Sequence, residues 1–242
     1  MSENDAEIDE SQNGLDMFDL FFNDDYEKQE IDLPSGRVMS FLGLKAATVD
    51  SDLTGQILWP GCTLLMYWLD KNIDLFNNKT AIELGAGTAI CSAFIAKFGS
   101  PQKVIATDGS EPVIDLMNKN IDLLPDAKNI RSKLLKWNKE SCSTLLNEEF
   151  PNGEKFDFVF GSEIAYNENC VEDLVDTADE LLKEDGKFIV GHIDRYAQTT
   201  RAFFNKLERS KFILLEKVSW DDLVNYRMEL IVGAVYIFQR KK

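Results

Sequence analysis

Residues 79–91 read Lys-Thr-Ala-Ile-Glu-Leu-Gly-Ala-Gly-Thr-Ala-Ile-Cys, and this stretch decides the fold. Thr80 to Leu84 is a short, mostly apolar run of the kind that forms a buried strand. Gly85 permits a sharp turn, and Gly87 lets the backbone come close to a ligand. The apolar residues from Thr88 onward have helical spacing and stop at Gly99. The next run, KVIATD, is a second strand with Asp108 at its end, 25 residues after Glu83. An acidic side chain at that position is placed to accept hydrogen bonds from a ribose diol. Turn, helix and acidic strand end together imply a cofactor that carries a nucleoside.

The alternation of strand and helix continues outward. EPVIDLMNKNIDLL is a second helix with Pro112 in its first turn, and NIRSKLLKW is a third strand. FDFVFGSEIAY ends a fourth strand, and CVEDLVDTADELLKEDG is an amphipathic helix expected to stop at Gly186. KFIVGHI is a fifth strand, and TTRAFFNKLERS another helix. Upstream, a short strand is expected within Val38 to Val49. Pro60 and Gly61 open a helix with Leu64, Leu65, Trp68 and Leu69 on one face. KFILLEKVSW and MELIVGAVYIFQRK leave no room for a crossover helix, so they are expected as antiparallel neighbours. The pattern is α/β: a mostly parallel sheet with helices on both faces, closed by a C-terminal antiparallel strand pair.

The 242 residues suffice for one sizeable core. Residues 1–36 are expected as an acidic N-terminal tail with a short apolar segment, and residues 37–242 as a single domain. The tail holds twelve Asp and Glu against one Lys, out of a net charge of -16 for the chain. Residues 15–27, LDMFDLFFNDDYE, are too apolar for a plain tail; they either dock on the body as a short helix or bind a partner. Pro34, Ser35 and Gly36 mark a turn. No apolar run reaches the ~20 residues of a membrane-spanning helix, and the acidic start does not resemble a secretory leader. Cys62, Cys91, Cys142 and Cys170 are widely spaced and there is one histidine, which argues against structural zinc and a disulfide framework. The expectation is a cytoplasmic monomer with no metal. No basic stripe suits nucleic acid, whereas a basic protein segment would match the acidic charge.

The turn also discriminates between cofactors. A dinucleotide fingerprint needs a third glycine where this chain has Ile90, and no phosphate-loop motif is present. Glu83 would repel a pyrophosphate but tolerate a cationic sulfonium and its amino group. Its other reading is a solvated or capping carboxylate.

Residues 53–170 resemble the seven-β-strand, class I methyltransferases, and more closely the branch called methyltransferase family 16, whose best-known members methylate protein lysines. The resemblance implies a Rossmann-like, seven-stranded sheet and S-adenosylmethionine as cofactor. On it, Glu83, Gly85, Ala86 and Gly87 border the methionine and ribose, Asp108 takes the ribose hydroxyls, and Gly109 and Ser110 flank Asp108. Gly55-Gln56-Ile57-Leu58-Trp59 matches the branch's G-x-x-x-W segment, which puts Trp59 at the cofactor; the alternative for Trp59 is plain core. Trp137 matches a tryptophan near the adenine, with Lys136 where the branch often has an acidic residue. Ser162 is expected among the cofactor contacts.

After the fourth strand the polar residues Ser162, Glu163 and Tyr166 follow at once, and ligand sites in open sheets lie beyond the strand C-termini. Glu163-x-x-Tyr166 stands where the branch has D-x-x-Y; some related enzymes with S-E-x-x-Y look like protein histidine methyltransferases. Glu163 is the expected substrate positioner, and Tyr166 the slot wall or hydrogen-bond partner. The other reading makes them a loop carboxylate and a packed ring. His192 is expected in a structural or rim role, and Arg195 in local structure or substrate contact. No hydrolase nucleophile elbow is present. The implied reaction is methylation of a lysine amine in a protein. Candidate substrates are translation factors, ribosomal proteins or chaperones with a basic segment, and a histidine or a small-molecule amine is the alternative.

Overall fold

A computed structural model describes residues 26–44, 51–223 and 232–241. The docking or recruitment expected of residues 15–27 falls almost wholly outside them. The first elements are β1 (Glu27–Asp32) and β2 (Val38–Gly43), an antiparallel hairpin turning at Pro34–Gly36. The boundary drawn after residue 36 therefore falls in the turn of a hairpin, and β1 was not foreseen: EKQEID is too polar to stand out as a strand. Its inner residue Ile31, with Leu33, Met39 and Phe41, joins the main core.

Helix α1 (Pro60–Asn72) leads to β3 (Thr80–Glu83), α2 (Ile90–Phe98), β4 (Lys103–Asp108), α3 (Glu111–Asp122) and β5 (Ile130–Leu134). Next come α4 (Lys139–Glu149), β6 (Phe156–Ser162), α5 (Val171–Leu181), β7 (Leu182–Ile193) and α6 (Ala197–Arg209). The chain ends with β8 (Phe212–Ser219), α7 (Trp220–Leu223) and β9 (Gly233–Arg240). The seven-stranded sheet has the order β5-β4-β3-β6-β7-β9-β8, parallel from β5 to β7 and antiparallel where β9 inserts between β7 and β8. The α/β, Rossmann-like sheet with its antiparallel ending is thus as expected.

Alternation along each strand sorts side chains to the two faces. Phe158 and Phe160 of β6 belong to the core cluster that includes α1 and α2, while Val159 between them belongs to the one that includes α5. Each fully buried side chain of this kind contributes about 1.5–3 kcal/mol.

Two local expectations are corrected. The sequence reading passed over α4, whose start is marked by Asn138: its side chain accepts from Ser141 N. Helix α5 ends at Leu181, not at Gly186. Arg240, from the last strand, donates to the carbonyls of Asp179 and Leu182 and so satisfies the end of the helix. Leu182 then pairs with Phe156 and Lys187 with Phe158, so the register of β7 against β6 shifts between them. A contact from a strand nearly 60 residues away cannot be read from helical periodicity.

Candidate active site

The turn after β3 is held from both sides: Leu84 N donates to Phe160 O and Ala86 N to Thr107 O, both at 2.8 Å. Gly85 and Gly87 have φ of +58° and +54°, the left-handed region that glycine enters without penalty. A Cβ on Gly87 would lie 2.6 Å from Gly55 O. Gly55-x-x-x-Trp59 therefore lies directly against the glycine turn. Trp59 donates from Nε1 to Thr54 O at 2.9 Å, which fixes the indole beside it.

Turn and segment form one end of a cleft of about 670 Å³. Trp59, Gly85, Ala86, Gly87, Asp108, Gly109, Ser110, Trp137 and Ser162 all line it, as do Glu163 and Tyr166. Asp108 accepts from Gly87 N at 3.3 Å and from Ser110 N at 3.2 Å. Burial pushes its carboxyl above the ordinary range, against the pull of the Gly87, Ser110 and Gly109 backbone N–H groups. These bonds aim the carboxylate where a diol could donate to it.

Glu83 is the expected cofactor neighbour that does not reach the cleft. It is 1% exposed, and its carboxylate accepts from Ser92 N at 3.0 Å and Ser92 Oγ at 2.6 Å. Ser92 lies in the first turn of α2, so Glu83 satisfies an open N–H at the start of that helix. The capping reading holds here: the carboxylate is buried and bonded to Ser92. Burial pushes its carboxyl up to about 7, with Asp108 adding to the rise and the Ser92 bonds opposing it.

The other end of the cleft is built by the ends of β6 and β7. Glu163 adopts φ +52°, unusual for a residue with a side chain. Its N–H donates to Gly191 O at 2.8 Å, and its Oε1 accepts from Gly61 N at 2.7 Å. A Cβ on Gly61 would come within 2.4 Å of Glu163 Cγ, so glycine at the start of α1 makes room for this carboxylate. Arg195 Nη2 lies 2.9 Å from Oε1 and 2.8 Å from Oε2 of Glu163, and its guanidinium carbon lies 4.5 Å from the centre of the Trp59 ring. Arg195 is thus tied to the carboxylate and to Trp59 at once. Sequence gave Arg195 a local or substrate role without a partner.

Tyr166 and Tyr196 are 64% and 65% exposed and flank the opening. Tyr196 and Asp173 were missed by the sequence reading. Tyr196 follows Arg195 beyond the end of β7, the side of the sheet that the strand-end rule favours. Asp173 has no comparable signal: in sequence it is one acid among several on an amphipathic helix. Its side chain has neither an ion pair nor a hydrogen bond among the described residues. His192 is buried below this rim, 3.0 Å from Thr200 Oγ1 and beside the Phe203 and Phe204 rings, and burial lowers its pKa. It does not line the cleft. Cys62 does, and its sulfur is 3.5 Å from that of Cys91 behind it.

The chain as a whole resembles known proteins. The chain is 30% identical over 166 residues to a protein-lysine N-methyltransferase, EFM3, of Chaetomium thermophilum; the match covers 67% of this chain and 49% of that one. It is 30% identical over 137 residues to the protein-lysine methyltransferase METTL21E of Bos taurus, covering 55% and 46%. The chain thus spans about half the length of these curated relatives. Among solved structures, magnesium protoporphyrin IX methyltransferase of Synechocystis with bound SAM shares the fold, with a TM-score of 0.54 at 14% identity over 81% of this chain and 86% of that one. A family model described as lysine methyltransferase matches residues 41–210, from within β2 to the residue after α6. Every cleft residue named above lies inside that match, and the chain belongs to the lysine methyltransferase family.

Proposed function

We propose that the protein transfers a methyl group from S-adenosylmethionine to the side-chain amine of a lysine in a protein substrate. One observation carries the reading: a single cleft joins the glycine turn and Asp108 at one end to Glu163 and Tyr166 at the other. The first end fits a nucleoside cofactor, with two left-handed glycines beside an oriented carboxylate. Gly85, Gly87, Asp108 and the indoles of Trp59 and Trp137 are the groups that would hold it. When bound, S-adenosylmethionine supplies an electrophilic methyl on a good leaving group.

The chain's own task is to present a neutral amine in line with that methyl, which an ammonium of ordinary pKa ~10.4 cannot be without losing a proton. Glu163 and Tyr166 line the cleft away from the glycine turn, which supports a role for them in holding that amine. The exposed tyrosines leave the mouth open, which suits a side chain presented by a protein better than an enclosed metabolite. The unpaired Asp173 at the cleft adds attraction for a basic segment. We further propose a cytoplasmic monomer, acting on a translation factor, ribosomal protein or chaperone through such a segment.

The test is methyl transfer from labelled S-adenosylmethionine in cell extract, with mass spectrometry to locate the label. Wild type and Glu163→Ala are compared. Lysine label that disappears with the variant supports the reading. Label on histidine or only on small molecules overturns it.

A further inference from the structure

We propose that Arg195 is a positioning residue that cancels the charge of Glu163, so that the target lysine can reach the neutral form it needs for methyl transfer. The inference rests on the lysine reading above and deepens it.

The difficulty is one of sign. A lone carboxylate beside an incoming ammonium stabilises the ammonium and raises its pKa, which works against a neutral nucleophile. Glu163 is not alone. Both of its oxygens lie within 2.9 Å of Arg195 Nη2, and Oε1 also accepts from Gly61 N. The guanidinium is itself fixed over Trp59. Arginine keeps its charge at any working pH, so the compensation is permanent. The pair presents an oriented acceptor without net charge. An amine can be held by hydrogen bonds there while the partly enclosed slot disfavours its charged form.

The surrounding groups leave Arg195 as the direct partner. His192 behind the pair is held below its ordinary pKa by burial, so it is neutral through the alkaline range. Tyr166 and Tyr196 flank the mouth, and Cys62 comes from α1. Asp173 of α5 also lines the cleft but makes no bond to Glu163 or Arg195. Asp108 and Lys136 belong to the cofactor end, and Asp194 is engaged with Thr200.

The transfer itself balances simply. The sulfur–methyl bond breaks as the nitrogen–methyl bond forms from the amine lone pair. The positive charge of the sulfonium passes to the methylated nitrogen and leaves a neutral thioether, and the proton lost earlier from the ammonium goes to solvent.

The experiment measures methyl-lysine formed on the proteins of a heat-treated cell extract, with labelled S-adenosylmethionine, from pH 7 to 10. Wild type, Arg195→Gln, Arg195→Lys, Glu163→Gln and the double variant Glu163→Gln/Arg195→Gln are compared. Cofactor binding by calorimetry is the second readout. In Arg195→Gln the carboxylate is uncompensated, and the acid limb of the rate moves up by about one pH unit. That means roughly tenfold less product at pH 7.5, converging on wild type near pH 10, with cofactor affinity changed less than threefold. Arg195→Lys keeps the charge and keeps the limb within about twofold of wild type. Glu163→Gln leaves an unpaired guanidinium and moves the limb to lower pH, whatever the folding of the Arg195 variants. The double variant returns it towards wild type, at a lower plateau. Loss by the same factor at every pH, or limbs that coincide, overturns the role of Arg195 and leaves the lysine reading standing. Wild type that binds cofactor but forms no methyl-lysine at any pH overturns both.

Discussion

Asn120 of α3 hydrogen-bonds both backbone groups of Leu42 in β2: its Oδ1 accepts from Leu42 N at 2.6 Å and its Nδ2 donates to Leu42 O at 3.0 Å. The same Nδ2 reaches Thr88 O, in the glycine turn, at 2.9 Å. One buried amide therefore ties the N-terminal hairpin to the glycine-turn end of the cleft. Asn120→Ala leaves these backbone groups without that partner, at a cost of about 1–3 kcal/mol. The expected result is a lower urea midpoint together with weaker S-adenosylmethionine binding. A stability loss with unchanged cofactor affinity would show that the hairpin and the turn are not coupled through this residue.

Glu83 should give the protein a stability that falls as pH rises. Its folded pKa is raised to about 7, so the folded state holds the proton more tightly than the unfolded chain does. The penalty is absent below the ordinary glutamate range of ~4.3 and grows to on the order of 3 kcal/mol above neutrality. Asp70, Glu149 and Asp157 are held below their ordinary range and act in the opposite direction, losing stability in acid. The difference between wild type and Glu83→Gln isolates the contribution of the Glu83 carboxyl. Unfolding measured at pH 5 and pH 8 should favour the variant more strongly at pH 8; a difference independent of pH contradicts the assignment.

Gly87→Ala should damage cofactor binding. The new Cβ would meet Gly55 O at 2.6 Å and sit on a left-handed backbone, which costs about 1–2 kcal/mol before the clash is counted. The turn and the Gly55–Trp59 segment must then move apart. Calorimetry should show at least a tenfold loss of S-adenosylmethionine affinity, accompanied by a lower melting temperature.

Asp173 should affect the protein substrate and not the cofactor. Asp173→Asn removes an unpaired charge at the cleft. The expected effect on a basic protein substrate is a severalfold rise in KM that shrinks at high salt, because exposed charges are screened. Cofactor affinity should stay within twofold. A change in cofactor affinity with KM unaltered would move Asp173 to the cofactor end.

The site was more legible than its inner workings. Gly85, Gly87 and Asp108 could be placed because a strand, a turn and a strand end are local features. Glu163 and Tyr166 could be placed because polar residues that follow a buried parallel strand emerge on the ligand side. Glu83 was misplaced: sequence puts it beside the turn but does not say which way the last strand residue points. The contact with Ser92, nine residues on, decides that. Asp173 and Tyr196 escaped notice because a carboxylate on an amphipathic helix and an aromatic in a loop look the same whether or not they face a cleft.

The sequence by itself determined most of the alternation of strands and helices, the antiparallel ending, and the end of the sheet at which the cleft opens. These follow from hydrophobic period, glycine position and loop length, all of which act over a few residues. Only the tertiary structure decided the partners of the charges. Arg195 meets Glu163 across 32 residues of sequence, Glu163 meets the backbone of Gly61 across 102, and Arg240 meets the end of α5 across 58 to 61. Burial and charge pairing depend on what chain folding brings within a few ångströms, and that distance is not encoded in any local pattern.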